Sequence, residues 1–348
     1  MRLLQPIRLQ ASLHETIWGG RRLERDGWKQ LPPGDAGIGE AWETEVSCVA
    51  QNAPYGGKTL GTLVNEYGED LLGPRAMTVY GARFPLLAKF IDANGRLSVQ
   101  VHPDDRYAAQ YEAGKLGKTE YWYILDAAPG ATIIHGFKAP FSRAEVQHAI
   151  ETVTLENLLA EEPVAAGDVI FVPAGTVHAI GSGILLYELQ EYSDITYRMY
   201  DYGRLASDGT LRELHVEQSL NVSHFDRSRR VKMRPVSLAG GQGYTDCCLV
   251  ACQYFVSRQI TLQPQGSPYG YMKGWTESSC VILTALGASL QVRYGENFER
   301  GEAITRGQTI VLPAALGEYC IEGEGAFLSS YVPEENDEAW AAWKAGQE

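Results

Sequence analysis

The sequence predicts an all-β-dominated chain: two similar β domains with a few peripheral helices. Three observations carry this. Short segments alternate apolar and polar residues, 37 glycines supply turns, and one glycine-to-proline pattern occurs twice. The 348 residues suffice for one large domain or two ordinary ones, and a 45% hydrophobic content supports a sizeable core.

In chain order, "ARFPLLAKFI", "RLSVQVH", "TEYWYIL" and "ATIIHGF" read as strands of one sheet system. Helical pattern is limited to "GKTLGTLVNEYGEDLL", "DDRYAAQYEAG", "SRAEVQHAIET" and "TLENLLAEE". The second has acids at its start and glycine beyond its end, as helix termini favour. After Glu161 the strand pattern returns. "DRSRRVK", from Asp226 to Lys232, marks a charged linker around residues 216–235 and suggests domains at 1–225 and 226–348. "CLVACQYFVSRQITL", "SCVILTALGASLQVRY" and "FLSSYV" supply the second set of strands, and "EENDEAWAAWKAG" a small terminal helix. Trp340 and Trp343 share one face of that helix and are expected to dock on the body of the protein. The repeated pattern is "GDVIFVPAGTVH" from Gly167 and "GQTIVLPAALGE" from Gly307. Each turns into a β segment and leaves it through proline.

A net charge of -13 argues against nucleic acid as a partner, which calls for a basic footprint. No run of 18 apolar residues suggests a membrane span, and the polar, charged start does not resemble a signal peptide, so a cytoplasmic location is expected. Cys48, Cys247, Cys248, Cys252, Cys280 and Cys320 form no repeated Cys-x-x-Cys pair and do not resemble a secreted framework; Cys247, Cys248 and Cys252, in an apolar run, read as buried free thiols.

The chemistry concentrates in three segments. In "RLSVQVHP" period-two alternation sets Gln100 and His102 on one face, about 7 Å apart at Cα, close enough to reach one ion. In "GKTEYWYIL" Lys118 and Glu120 share a face beside an aromatic strand. In "GDVIFVPAGTVHAI" a Pro-x-Gly turn can deliver His178 into a barrel mouth. His102, Glu120 and His178 suit zinc or another divalent first-row metal, with Gln100 as an added neutral oxygen.

"GDVIFVPAGTVH" resembles the second signature of cupins, small β-barrels that commonly hold a metal. Gln100-x-His102 stands where cupins usually carry His-x-His. That departure, with "VQVHPDD", "ETIWGGRRL", "GEAWE", "PLLAKFIDA", "WYILDAAPGATIIHGF" and "YELQEYSDITYRMYDYGR", is similar to the type I mannose-6-phosphate isomerases in their short bacterial form. The likeness is dense over residues 12–215. It implies two cupin-like jelly-roll barrels, the first catalytic and metal-binding, the second degenerate. It implies one zinc per chain, another divalent metal being possible, on Gln100, His102, Glu120 and His178. It gives catalytic roles to Arg198, Lys118 and Glu188, and leaves the general base open among Glu188, Lys118 and a water on the metal. The implied reaction interconverts mannose 6-phosphate and fructose 6-phosphate through a cis-enediol. A phosphorylated sugar is then the only partner implied, without membrane or obligate protein partner. Ala41 replaces the polar residue of "GESWE"-like runs, and Glu318 stands where the second barrel would echo His178. A metal-dependent cupin oxygenase and a non-catalytic sugar-binding cupin are the rival readings. His135 is expected to make a structural hydrogen bond. His14, His148, His215 and His224 fit no ligand spacing and are expected in structural or solvent-facing positions.

Overall fold

The structure, a computed structural model, describes residues 4–205, 209–227, 231–241, 243–263, 270–287 and 289–348. Two β-barrels dominate it, with helices on their outer sides. The first is a jelly-roll sandwich. Its seven-stranded sheet runs Lys232–Met233, Val169–Val172, Glu120–Ala127, Ile184–Glu191, Leu86–Ala93, Ile38–Trp42, Ser12–Gly20. The facing five-stranded sheet runs Tyr197–Tyr200, Val99–Val101, His178–Ile180, Thr132–Phe137, Leu159–Pro163. The second barrel is one eleven-stranded sheet that wraps round through the 15-residue strand Gly317–Tyr331, which pairs along both halves of its length.

Both faces of the five-stranded sheet are covered. Val99 and Val101 pack with Val146, Ala149 and Leu220 beneath the helices Arg143–Glu151 and Val216–Val222. The opposite face looks into the barrel, so Gln100 points inward as its alternation requires. The predicted helix starts hold. Asp104 Oδ1 accepts from Tyr107 N at 2.8 Å, and Ser142 with Glu145 forms a reciprocal capping box. Asp105 braces the following loop by accepting from Gly117 N at 2.8 Å.

Some segments differ from expectation. "TLENLLAEE" makes one short 3₁₀ turn, Leu155–Asn157, and then the strand Leu159–Pro163. That stretch supplies the edge of the five-stranded sheet, with Ile134 opposite Glu161. Pairing outweighs its weak helical pattern, and Pro163 sits where an edge strand tolerates it. The expected linker opens with the helix Val216–Val222, in which Ser219 and Leu220 are buried. Ser228, Arg229 and Arg230 of its charged stretch lie outside the described residues. An unexpected helix, Pro74–Tyr80, follows Glu69–Leu72. Ile7–Gln10 joins the second barrel, with Ile7 opposite Val311, while Lys232–Met233 joins the first. The terminal helix Glu338–Gln347 docks as expected: Trp343 is buried and its Nε1 donates to Leu249 O at 3.0 Å.

All six cysteines are free thiols. Among the described residues no helix is long and apolar enough to cross a membrane.

Glu191, at the end of the strand Ile184–Glu191, accepts from Thr119 N at 2.8 Å, and its other oxygen is buried without a partner. Burial, with Asp105 nearby, pushes its carboxyl from 4.5 up to about 8. The folded chain therefore holds a proton there that the unfolded chain has released. This contribution to stability is complete below pH 4.5 and is lost as pH rises through about 8. Glu191→Gln keeps an acceptor for Thr119 and removes the titration. Thermal unfolding from about pH 5 to 9 is expected to show a flatter decline in the variant, by a few kcal/mol at the alkaline end. Parallel curves would contradict it.

Candidate metal centre and active-site cavity

His178 opens its strand just after the Pro173–Gly175 turn. Gly175 has φ +84°, and a Cβ there would meet the His224 ring at 2.7 Å, so glycine is required. His178 lies opposite Gln100 in register, and Glu120 opens the central strand of the facing sheet. His102 follows directly on the Val99–Val101 strand. Residues 18 to 76 positions apart thus meet between two sheets.

His102 Nε2 lies 3.6 Å from Glu120 Oε2, and His178 Nε2 lies 3.4 Å from Glu120 Oε1. All three side chains are buried. Donors at zinc bond lengths in a tetrahedral shell stand about 3.4 Å apart, so the spacing fits a small divalent ion. Each imidazole is fixed from behind. His102 Nδ1–H donates to Ile195 O and His178 Nδ1–H to Thr176 O, both at 2.8 Å, which leaves both Nε2 lone pairs facing Glu120. His102 Nε2 and both Glu120 oxygens are buried without a hydrogen-bond partner, the Lys118 ammonium at 3.0 Å being an ion-pair neighbour of Oε2. Three buried donors left open toward one point fit a cation. Gln100 Nε2 is 3.3 Å from His178 Nε2; turning its amide over would present the oxygen instead.

Charge supports the same reading. Burial, reinforced by Lys118, holds both imidazoles neutral, lowering His178 to about 3 and His102 well below its usual range. Burial, with the Glu188 charge, raises Glu120 to about 7 against the pull of Lys118. Burial acts on Glu188 too, but Lys89 and Lys118 outweigh it and hold this carboxyl below its ordinary value. Both Glu188 oxygens are occupied: Lys89 Nζ lies 3.1 Å from Oε1, and Trp122 Nε1 donates to Oε2 at 3.0 Å.

A cavity of about 350 Å³ adjoins this group. Gln100, Lys118, Glu188, Arg198, Lys89 and Arg212 are among its lining residues. Two larger hollows, about 660 Å³ each, contain none of the sequence-predicted site residues. Arg198 stands opposite Gln100 in register and is half-buried; Nη1 donates to Glu213 O at 2.9 Å, and its backbone N–H to His215 Nδ1 at 3.2 Å. Its Nε is buried without a partner. The structure therefore brings all seven predicted residues to one locality.

Sequence reading missed some participants. Trp122, in the aromatic strand, donates to Glu188 and orients it. Arg212 went unnoticed, although it lines the cavity. His14 lines it too, and His215 takes the structural position expected of it, accepting from the Arg198 backbone N–H. Alternation placed Trp122 on the Glu120 face and could have exposed its role; His14 carries no such signal. His135 makes the expected structural bond, Nε2–H to Phe171 O at 2.9 Å. Glu318, the echo of His178, pairs with Lys273 at 3.1 Å on the outside of the second barrel.

Two jelly-roll barrels, one enclosing a His–Glu–His group beside a cavity lined by four cationic and four carboxylate side chains, define a bicupin with a candidate metal centre. A family profile described as phosphomannose isomerase type I, catalytic domain, matches residues 6–126. Mannose-6-phosphate isomerase of Streptococcus mutans serotype c is 35% identical over 343 residues, covering 95% of this chain and 100% of the relative. Mannose-6-phosphate isomerase ManA of Bacillus subtilis is 36% identical, over 94% and 99%. The crystal structure of the mannose 6-phosphate isomerase from Bacillus subtilis superposes with a TM-score of 0.83 at 33% identity, covering 94% of this chain and 99% of that one. The chain belongs to the type I phosphomannose isomerase family.

Proposed function

We propose that the chain is a zinc-dependent mannose-6-phosphate isomerase that interconverts mannose 6-phosphate and fructose 6-phosphate through a cis-enediol. The observation that carries this reading is the cavity in which Glu188, Lys118 and Arg198 stand beside three buried donors open toward one point. Relatives named for this activity, aligned over nearly the whole chain, support it.

His102, Glu120 and His178 would hold the ion, one per chain, and Gln100 would add its amide oxygen after turning its amide over. When bound, the metal supplies Lewis-acid polarisation of the sugar oxygens. The remaining work falls to the protein. The open-chain sugar lies in the cavity with C1 and C2 toward Glu188. Lys89 and Lys118 keep Glu188 ionised, so this carboxylate accepts the proton from C2 of the aldose and returns it to C1 while the hydroxyl proton passes from O2 to O1; the ketose reacts in reverse. Lys118, ion-paired with Glu120, offers only N–H donors and steadies the substrate oxygens. Arg198 places a permanent positive charge where the enediolate develops its negative one. Arg212, at the same cavity, adds a guanidinium for the phosphate dianion.

In this reading residues 1–225 supply most of the catalytic domain and 226–348 most of a second barrel that holds no metal, with Ile7–Gln10 and Lys232–Met233 exchanged between the two. Free thiols fit a reducing cytoplasm, where we place the enzyme.

The test couples fructose 6-phosphate formation to a dehydrogenase readout, with metal content measured on the same sample. Stoichiometric zinc, turnover of mannose 6-phosphate, loss of both on chelation and recovery with added zinc are expected. Sugar-phosphate binding without turnover in the zinc-loaded protein would overturn the reading.

A further inference from the structure

The strand Glu120–Ala127 has two working faces. Glu120 and Trp122 point into the first barrel, where Trp122 holds Glu188. Tyr121 and Tyr123 point the other way and meet the second barrel. Tyr121 Oη lies 2.5 Å from Ser257 Oγ, and Gln259 Nε2 donates to Tyr123 Oη at 3.1 Å. Ser257 Oγ is in turn 2.9 Å from Ser330 Oγ. Tyr187, the residue before Glu188, is buried on the same side, but its hydroxyl has no hydrogen-bond partner among the described residues, so the connected row runs through Tyr121, Ser257 and Ser330. Tyr121, Tyr187, Ser257, Ser330 and Thr284 are all fully buried.

An interface meant only to hide surface would favour apolar side chains, because every buried hydroxyl must recover its lost hydration. A connected polar row instead selects one alignment of the surfaces it joins. The alignment matters here because side chains alternate: Tyr121 and Tyr187 each sit one residue from a carboxylate on the opposite face. A one-residue slip of either strand would swap those faces. Metal and catalytic groups tolerate only about 0.5 Å of misplacement.

We propose that this hydroxyl seam is a positioning device, by which the second barrel holds Glu120 and Glu188 in place for the metal and the sugar. Tyr121 and Ser257 are the positioning residues, since their contact joins the strand of Glu120 to the second barrel. The second barrel thereby contributes to the chemistry without touching it. The inference rests on the functional reading above, but its test separates the two.

The variants are Tyr121→Phe, Ser257→Ala and Ser257→Thr. Zinc affinity is measured by competition with a chromophoric chelator, kcat and KM by the coupled assay, and folding by thermal unfolding. Tyr121→Phe and Ser257→Ala are each expected to lower zinc affinity and kcat by about tenfold, the scale of losing an outer partner of a metal ligand, with KM within about twofold of the parent. Ser257→Thr, which keeps the hydroxyl, is expected to restore both. Zinc affinity and kcat unchanged, with only the unfolding temperature lowered, would overturn the proposal and leave the seam as packing. Should the parent bind zinc but not isomerise, the functional reading fails while zinc affinity still decides the seam. Should one variant fail to fold, the other decides it.

Discussion

His178→Ala is expected to empty the metal centre and abolish turnover together. The imidazole is held neutral by burial, its Nδ1–H is anchored on Thr176 O, and its Nε2 faces Glu120 at 3.4 Å. Alanine removes one of three close donors and leaves Glu120 buried beside a hole. Disturbing only the outer partners of a ligand costs up to about 100-fold in affinity or activity, so loss of the ligand itself is expected to cost at least about 100-fold in each. Metal analysis after gel filtration and kcat/KM on mannose 6-phosphate are the measurements. The two losses must coincide, and His102→Ala must reproduce them. Normal metal occupancy in both variants would show that the trio is not the binding site. His135→Ala is the contrast: it neighbours His178 in register but bonds Phe171 O, so metal occupancy is expected to persist.

Arg198→Ala is expected to do the opposite to the metal and nearly the same to the rate. Among the described residues no hydrogen bond or ion pair joins the guanidinium to the three donors; it is held by Glu213 O and lines the cavity that Arg212 also lines. Its loss leaves His102, Glu120 and His178 with all their supports, so metal content is expected to equal that of the parent. A donor aimed at developing negative charge contributes about 100- to 1,000-fold to kcat, and the fall should lie in that range. Arg198→Lys should recover little, because an ammonium lacks the planar fork that Glu213 O and the buried Nε position demand. Loss of metal in Arg198→Ala would make this residue structural. An unchanged rate would favour a sugar-binding protein over an enzyme.

The two variants are chosen to separate a metal-holding from a charge-stabilising role, the division that the family resemblance implies. Alternation in "RLSVQVH" put Gln100 and His102 on the face away from Val99 and Val101, and the sheet confirms the split, with the valines under helices and Gln100 facing the barrel. The Gly–Pro–Gly pattern ahead of His178 foretold the turn that Gly175 makes at positive φ. Helix caps at Asp104 and Ser142 were readable because they depend on neighbours three residues away. "TLENLLAEE" was misread because its state depends on a sheet edge in need of a partner, which no local pattern records. Trp122 and Arg212 were missed because each meets Glu188 or the cavity only through folding.

The sequence by itself determined the two-barrel β architecture and the faces of the ligand strands, and through family likeness it pointed to seven candidate residues that the fold gathers in one locality. These are local or inherited facts: side-chain period, turn chemistry and motif order survive in one dimension. Only the tertiary structure decided that two neutral imidazoles converge on Glu120, that Lys89 and Trp122 occupy both oxygens of Glu188, and that hydroxyls tie the back of the same strands to the second barrel. The physical reason is that burial and charge pairing depend on distance in space, and the pairing of strands far apart in the chain sets that distance.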